Sequence, residues 1–123
     1  MSKKVALVGH CGPDSSFLKI AVSRAAKEAK ILSADDSQSL KRVLDDGVDL
    51  LLFNRQLDFG FEAEEGVEII RELRPKYPNV KMMLVSNYAD AQAAAVAEGA
   101  LPGFGKREVN SPKVAEMIRD ALA

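Results

Sequence analysis

Hydrophobic and polar positions follow two rhythms along this chain. Short, nearly continuous apolar runs occur at 5–8, 31–32, 48–53 and 80–85, with a weaker one at 101–104. Their length and continuity suit buried strands. Between them lie longer stretches in which apolar residues recur every third or fourth position, the spacing of one helix face. The first covers about 14–29, with Phe17, Leu18, Ala21, Val22 and Ala25 turned inward and Asp14 or Ser15 as its cap. The second covers 37–46, with Leu40, Val43 and Leu44 inward and Gly47 as its stop. The third covers 64–76, with Val67, Ile69, Ile70 and Leu73 inward and acids at the positive end of the helix dipole. The fourth, 89–98, is alanine-rich and ends at Gly99. The last covers 111–122, with Ser111 as cap, Pro112 in the first turn and a stripe of Val114, Ala115, Ile118 and Leu122.

Strand and helix therefore alternate, five of each. Continuous apolar strands separated by helices predict a parallel sheet covered on both faces. The expected architecture is one α/β domain over 1–123, a flavodoxin-like doubly wound five-stranded sheet in strand order 2-1-3-4-5, with right-handed crossovers. At 123 residues and 47% hydrophobic, the chain can build a sizeable core. A formal net charge of -1 removes the electrostatic case for nucleic acid. No run approaches the ~20 apolar residues that span a bilayer, and 5–8 is too short for the core of a signal peptide. A soluble cytoplasmic protein with no membrane partner is expected. A single cysteine, Cys11, excludes an internal disulfide and a cysteine-rich zinc site.

The carboxyl edge of such a sheet is where ligands bind. Asn54, at the end of the run 48–53, falls there. Its amide donates and accepts hydrogen bonds but is neutral. It can form no acyl phosphate and lends a cation no charge.

In element order, and in residues at several strand ends, the whole chain resembles a response-regulator receiver domain of the CheY-like kind. Ser86 matches the family's hydroxyl residue after the fourth strand, Lys106 its lysine after the fifth, and Gly66 the glycine that opens its third helix. In that family the hydroxyl and lysine contact a phosphoryl group on an aspartate after the third strand. An acidic pair after the first strand helps to hold magnesium. Here Asn54 stands at the acceptor position, and Gly9 and His10 stand at the acidic pair. The switch aromatic aligns with Gly103, Phe104 is displaced by one, and Arg107 replaces the usual proline. The loop 54–66 is longer than the family norm and carries Asp58, Glu62, Glu64 and Glu65 with Phe59 and Phe61. Magnesium wants hard oxygen ligands, including carboxylates, and Lys106 adds a like charge. The resemblance implies a receiver scaffold without its phosphorylation chemistry. It would be a phosphorylation-independent interaction module, with no enzyme activity, no metal and no cofactor. Its partner would be a signalling protein such as a kinase, an output domain or another regulator, or a second copy in a homodimer. The implied docking surface is the fourth helix, fifth strand and last helix, including Ala91, Ala94, Ala95 and Phe104.

Several readings stay open beside that one. Asn54 and Lys106 are expected to hydrogen-bond, either as a lock on one signalling state or incidentally. The pocket formed by Gly9, His10, Cys11, Ser86, Asn54 and Lys106 could take a small molecule or anion. Cys11 beside His10 could sense redox state or hold a soft metal, or be a packed, inert thiol. The glycines at 9 and 12 match neither dinucleotide nor Walker spacing. The aromatic-acidic loop 58–65 is expected to serve as a contact surface, against the alternative that its phenylalanines fold onto the core. An orthodox phospho-receiver would need Asp14 or Asp58 to act from a displaced position.

Overall fold

A computed structural model describes residues 2–57 and 60–123, so Asp58 and Phe59 of the long loop lie outside the described residues. Ten elements alternate: β1 (Lys4–Val8), α1 (Gly12–Ala25), β2 (Lys30–Ala34), α2 (Ser37–Asp46), β3 (Leu50–Asn54), α3 (Gly66–Leu73), β4 (Lys81–Val85), α4 (Ala89–Ala97), β5 (Leu101–Phe104) and α5 (Pro112–Leu122). A single 3₁₀ turn, Lys106–Glu108, follows β5. The sheet is parallel in the order β2-β1-β3-β4-β5, as the sequence pattern predicts.

Alternation of side chains along each strand divides the core in two. Ala6, Val8, Leu51, Phe53, Met82 and Leu84 point to the face covered by α2, α3 and α4. Val5, Leu7, Leu50, Leu52, Met83 and Val85 point to the face covered by α1 and α5. Leu50, Leu51, Leu52 and Phe53 of the central strand β3 are each 0% exposed, which is why that strand reads as an unbroken apolar run. Burial of this kind is worth about 1.5–3 kcal/mol for each large apolar side chain.

Helix ends follow local chemistry. Asp36 Oδ1 accepts from Ser39 N at 2.7 Å, and Ser39 Oγ accepts from Asp36 N at 3.2 Å, a reciprocal cap that starts α2. Ser111 caps α5 through Val114 N at 3.3 Å. Two helices depart from expectation. The first begins at Gly12 instead of Asp14, after Cys11 in extended backbone, and stops at Ala25. Phe17, expected in the core, is 50% exposed, at the margin of the buried stripe Leu18, Ala21, Val22 and Ala25. The third spans only Gly66–Leu73, because Glu65 is held in extended backbone by its bridge to Gln56.

The strand pair β4–β5 is irregular. Met83 faces Leu101 and Val85 faces Phe104, so two residues of β5 oppose Leu84 alone. Pro102 lies in that bulge on the edge strand, where a missing N–H breaks no ladder bond. Among the described residues, no helix is long and apolar enough to cross a membrane.

Candidate functional site

The carboxyl ends of β1, β3, β4 and β5 meet at one edge, and Asn54 stands in its middle. Both protons of its amide are committed. Nδ2 donates to Gly9 O at 3.0 Å and to Gln56 O at 2.9 Å. Because both partners are carbonyl oxygens, the amide has one orientation, and only Oδ1 remains to face outward. Asn54 does not bond Lys106, as had been expected. Lys106 Nζ instead pairs with Asp14 Oδ2 at 2.8 Å. That hydrogen bond is the main cause holding the Asp14 carboxyl below its usual range, helped by a bond from the Cys11 thiol and opposed by burial.

The part of the edge beside β1 is filled. Gly9 has φ +74, a left-handed conformation that few other residues adopt. A Cβ there would strike Leu57 Cδ2, with the Phe61 ring just beyond. The described residues around Leu57 are tied down. Leu57 N donates to Glu64 O at 2.8 Å, Ser37 N to Gly60 O at 2.8 Å, and Glu62 N to Ser37 Oγ at 3.1 Å. Phe61 is 8% exposed within the core, so it folds back and offers no contact surface.

His10 is also buried. Its Nε2 lies 2.8 Å from Leu52 O and must carry the proton, so Nδ1 is an unprotonated nitrogen with no partner among the described residues. Burial is the chief reason its pKa falls below the usual histidine value, with the Leu52 bond opposing. Cys11, next in sequence, is exposed. One side chain turns in and the other out, so the two do not combine as a metal or redox pair. Among the described residues no group of three or more histidine, cysteine or acidic side chains could hold a metal. The Asp14 carboxylate at this edge is bound to Lys106, and Leu57 fills the place beside Gly9.

The part beside β4 and β5 is open. A cavity of about 160 Å³ is lined by Asn54, Arg55, Gln56, Val85, Ser86, Asn87, Tyr88 and Lys106. Gly9, His10 and Cys11, expected in this pocket, do not line it, because His10 turns under the sheet edge and the loop covers Gly9. Ser86 is 5% exposed, and its Oγ accepts from Tyr88 N at 3.1 Å. Asn87 Oδ1 accepts from Arg107 N at 3.1 Å, fixing the turn that presents Lys106. The Arg55 guanidinium sits over the Tyr88 ring, 4.7 Å from its centroid.

A second amide holds the far side. Gln92 Nε2 reaches Leu84 O at 2.8 Å, Ser86 O at 3.2 Å and Phe104 O at 3.3 Å, while its Oε1 accepts from Gly103 N at 3.1 Å. A Cβ at Gly103 would collide with Leu84 O and the Gln92 amide. An aromatic residue therefore has no room where the family resemblance would place the switch residue. Gln92 escaped the sequence reading. Its signal was there, a single long polar side chain inside the alanine run.

The expected docking surface needs correction. Ala95 is 0% exposed and Phe104 2%, so both belong to the core. Ala91 is half-buried and Ala94 exposed, on the side of α4 that faces Arg55, Arg71 and Tyr88. The outer α4–β5 face is instead formed by Ala93, Val96, Ala97 and Pro102 around a shallow groove.

Comparison with known proteins places this geometry. No family model matches the sequence, and no curated protein matches it. Solved structures do match. A putative response regulator from Chloroflexus aurantiacus is 14% identical with a TM-score of 0.81, covering 99% of this chain and 98% of that one. The signal receiver domain of an HD domain-containing protein from Pseudomonas fluorescens is 20% identical with a TM-score of 0.80, covering 98% and 87%. A response regulator from Thermotoga maritima is 22% identical with a TM-score of 0.74, covering 99% and 98%. At these identities the likeness establishes the fold: this chain has the flavodoxin-like architecture of response-regulator receiver domains.

Proposed function

We propose that this chain is a signalling and protein-interaction module of receiver fold that works without aspartyl phosphorylation. The observation that carries the reading is the Asn54 amide, which joins Gly9 O and Gln56 O. A carboxylate in that place would set oxygen against two carbonyl oxygens. The Gln92 amide joins β4, β5 and α4 in the same way, which supports one fixed arrangement of the edge. The module would bind another signalling protein through α4, β5 and α5, where Val96 is 43% exposed beside Ala93, Ala97 and Pro102. No catalytic role is proposed, since no nucleophile, base and orienting group come together at this edge among the described residues.

The test is direct. The protein is incubated with magnesium and acetyl phosphate and its intact mass recorded, and amide NMR spectra are taken with magnesium and beryllofluoride. The expected result is no phosphoryl adduct and no magnesium-dependent shift spreading from Asn54 into α4. An adduct on any carboxylate of this edge, or such a spreading shift, would overturn the reading.

A further inference from the structure

A second cavity lies away from the sheet edge, between α2 and α3. Leu40 and Leu44 line it from α2, Ile69 and Leu73 from α3, and Tyr77 from the turn after α3. Helical spacing turns these side chains towards the core, and where the two helices part they leave an apolar floor. Glu62 and Ala63 of the loop after β3 line the cavity as well. That wall is fixed in place. Ser37 N donates to Gly60 O at 2.8 Å and Glu62 N to Ser37 Oγ at 3.1 Å, which ties the loop to the first turn of α2. Three separate segments therefore build the cavity.

Its rim carries charge of both signs. Lys76 and Glu72 answer each other at 3.5 Å. Lys41 and Glu62 also line the cavity, but neither has an ion partner among the described residues, where the salt bridges are Arg71–Glu98, Lys76–Glu72 and Lys106–Asp14. An ammonium and a carboxylate thus stand on different segments beside one apolar floor, too far apart to pair. A ligand that answers both charges and covers the floor needs a carboxylate, an ammonium and an apolar side chain. An apolar acid would set its carboxylate near Glu62, and an apolar amine would leave Lys41 unanswered. Size narrows the choice further. The cavity holds about 300 Å³, roughly ten waters' share of liquid and the lower end of the range for small-molecule sites.

We propose that the cavity between α2, α3 and the loop after β3 binds a free α-amino acid with a large apolar side chain. Its carboxylate pairs with Lys41, its ammonium with Glu62, and its side chain covers Leu40, Leu44, Ile69 and Leu73. The site is separate from the α4, β5 and α5 surface, so its loss would leave the docking reading standing.

The experiment is an amide NMR titration of the whole chain with L-leucine, and with three analogues that each lack one feature. Leucinamide lacks the carboxylate, 4-methylpentanoate the ammonium and glycine the apolar side chain. The expected result is saturable leucine shifts at Ser37, Lys41, Glu62, Ile69 and Tyr77, with glycine silent and the other two analogues a few-fold weaker, as exposed ion pairs allow. Lys41→Met should weaken leucine a few-fold and leave leucinamide unchanged. Glu62→Gln should weaken leucine by a similar factor and leave 4-methylpentanoate unchanged. Both side chains are exposed, so neither variant should alter the fold. Unsaturated leucine shifts, an analogue binding as tightly as leucine, or a leucine affinity unmoved in both variants would overturn the proposal. Shifts at these residues that follow protein concentration without ligand would assign the groove to a second copy of the chain, and would overturn it as well.

Discussion

The two parts of the sheet's carboxyl edge are built on opposite plans. Beside β1, Gly9 lies under Leu57 and Phe61, His10 is turned inward, and Asn54 stitches the end of β3 to the first turn. Beside β4 and β5 the edge opens into a polar cavity with two cations and a buried hydroxyl. Among the described residues, one part is filled and offers a cation no free carboxylate, while the other is open and lined by two cations. The two parts of one edge can differ so much because packing fills one side while separate elements support the charge on the other.

Restoring an acid beside β1 should be the most damaging change. Gly9→Asp places a side chain at φ +74 and drives its Cβ into Leu57. The left-handed backbone costs roughly 1–2 kcal/mol and the overpacking a further 1–3 kcal/mol. Urea denaturation should register a loss of about 2–5 kcal/mol, and a variant as stable as the parent would show that the filled half is soft.

Asn54→Asp should come next. It removes two donated hydrogen bonds and aims a charge at the Gly9 and Gln56 carbonyls, worth about 2–3 kcal/mol. It should gain no magnesium site, and isothermal titration with magnesium checks that. A tight, stoichiometric magnesium signal would mean that the Leu57 loop yields once an acid is present.

On the open side, Gln92→Ala should cost roughly 1–3 kcal/mol by leaving the Leu84, Ser86 and Phe104 carbonyls and the Gly103 amide short of a partner. Hydrogen exchange should quicken in α4 and β5 while β1 and β3 stay protected. Uniform quickening would mean that the two parts are not separable.

The smallest effect concerns His10 and pH. Burial holds its folded pKa below the ordinary 6.5. Below that value the unfolded chain binds more protons than the folded one, so stability is full above about pH 6.5 and declines as pH falls towards the lowered folded pKa. His10→Gln should flatten that part of the stability profile. If the slope between neutral pH and pH 5 persists in the variant, another group is responsible.

The fold was legible because each element announces itself locally. The second helix was read at 37–46 and observed at Ser37–Asp46, since its polar and apolar faces contrast and a glycine ends it. The fourth was harder. An alanine-rich helix lacks that contrast, so the sequence could not tell that Ala95 faces the core and Val96 the solvent. Phe17 misled because it borders the buried stripe Leu18, Ala21, Val22 and Ala25, and the sequence does not show where that stripe ends.

The candidate site was legible as positions and illegible as bonds. Asn54 could be set at a strand end from the apolar run before it, Ser86 and Lys106 from the resemblance to receiver domains, and all three line one cavity. Their partners could not be read, because Asn54 bonds a carbonyl 45 residues away and Lys106 an acid at the opposite end of the chain. Arg55 and Tyr88 carry no motif, and only the approach of β3 and β4 brings cation and ring together.

The sequence by itself determined the order of strands and helices, the parallel sheet and the neutral residue at its central edge. Those follow from periodicity and side-chain chemistry, which act over a few residues. Tertiary structure decided which part of the edge is filled, which way the Asn54 amide turns and where Lys106 spends its charge. Those are choices among competing partners, settled by distances of a few ångströms between segments that the chain order keeps far apart.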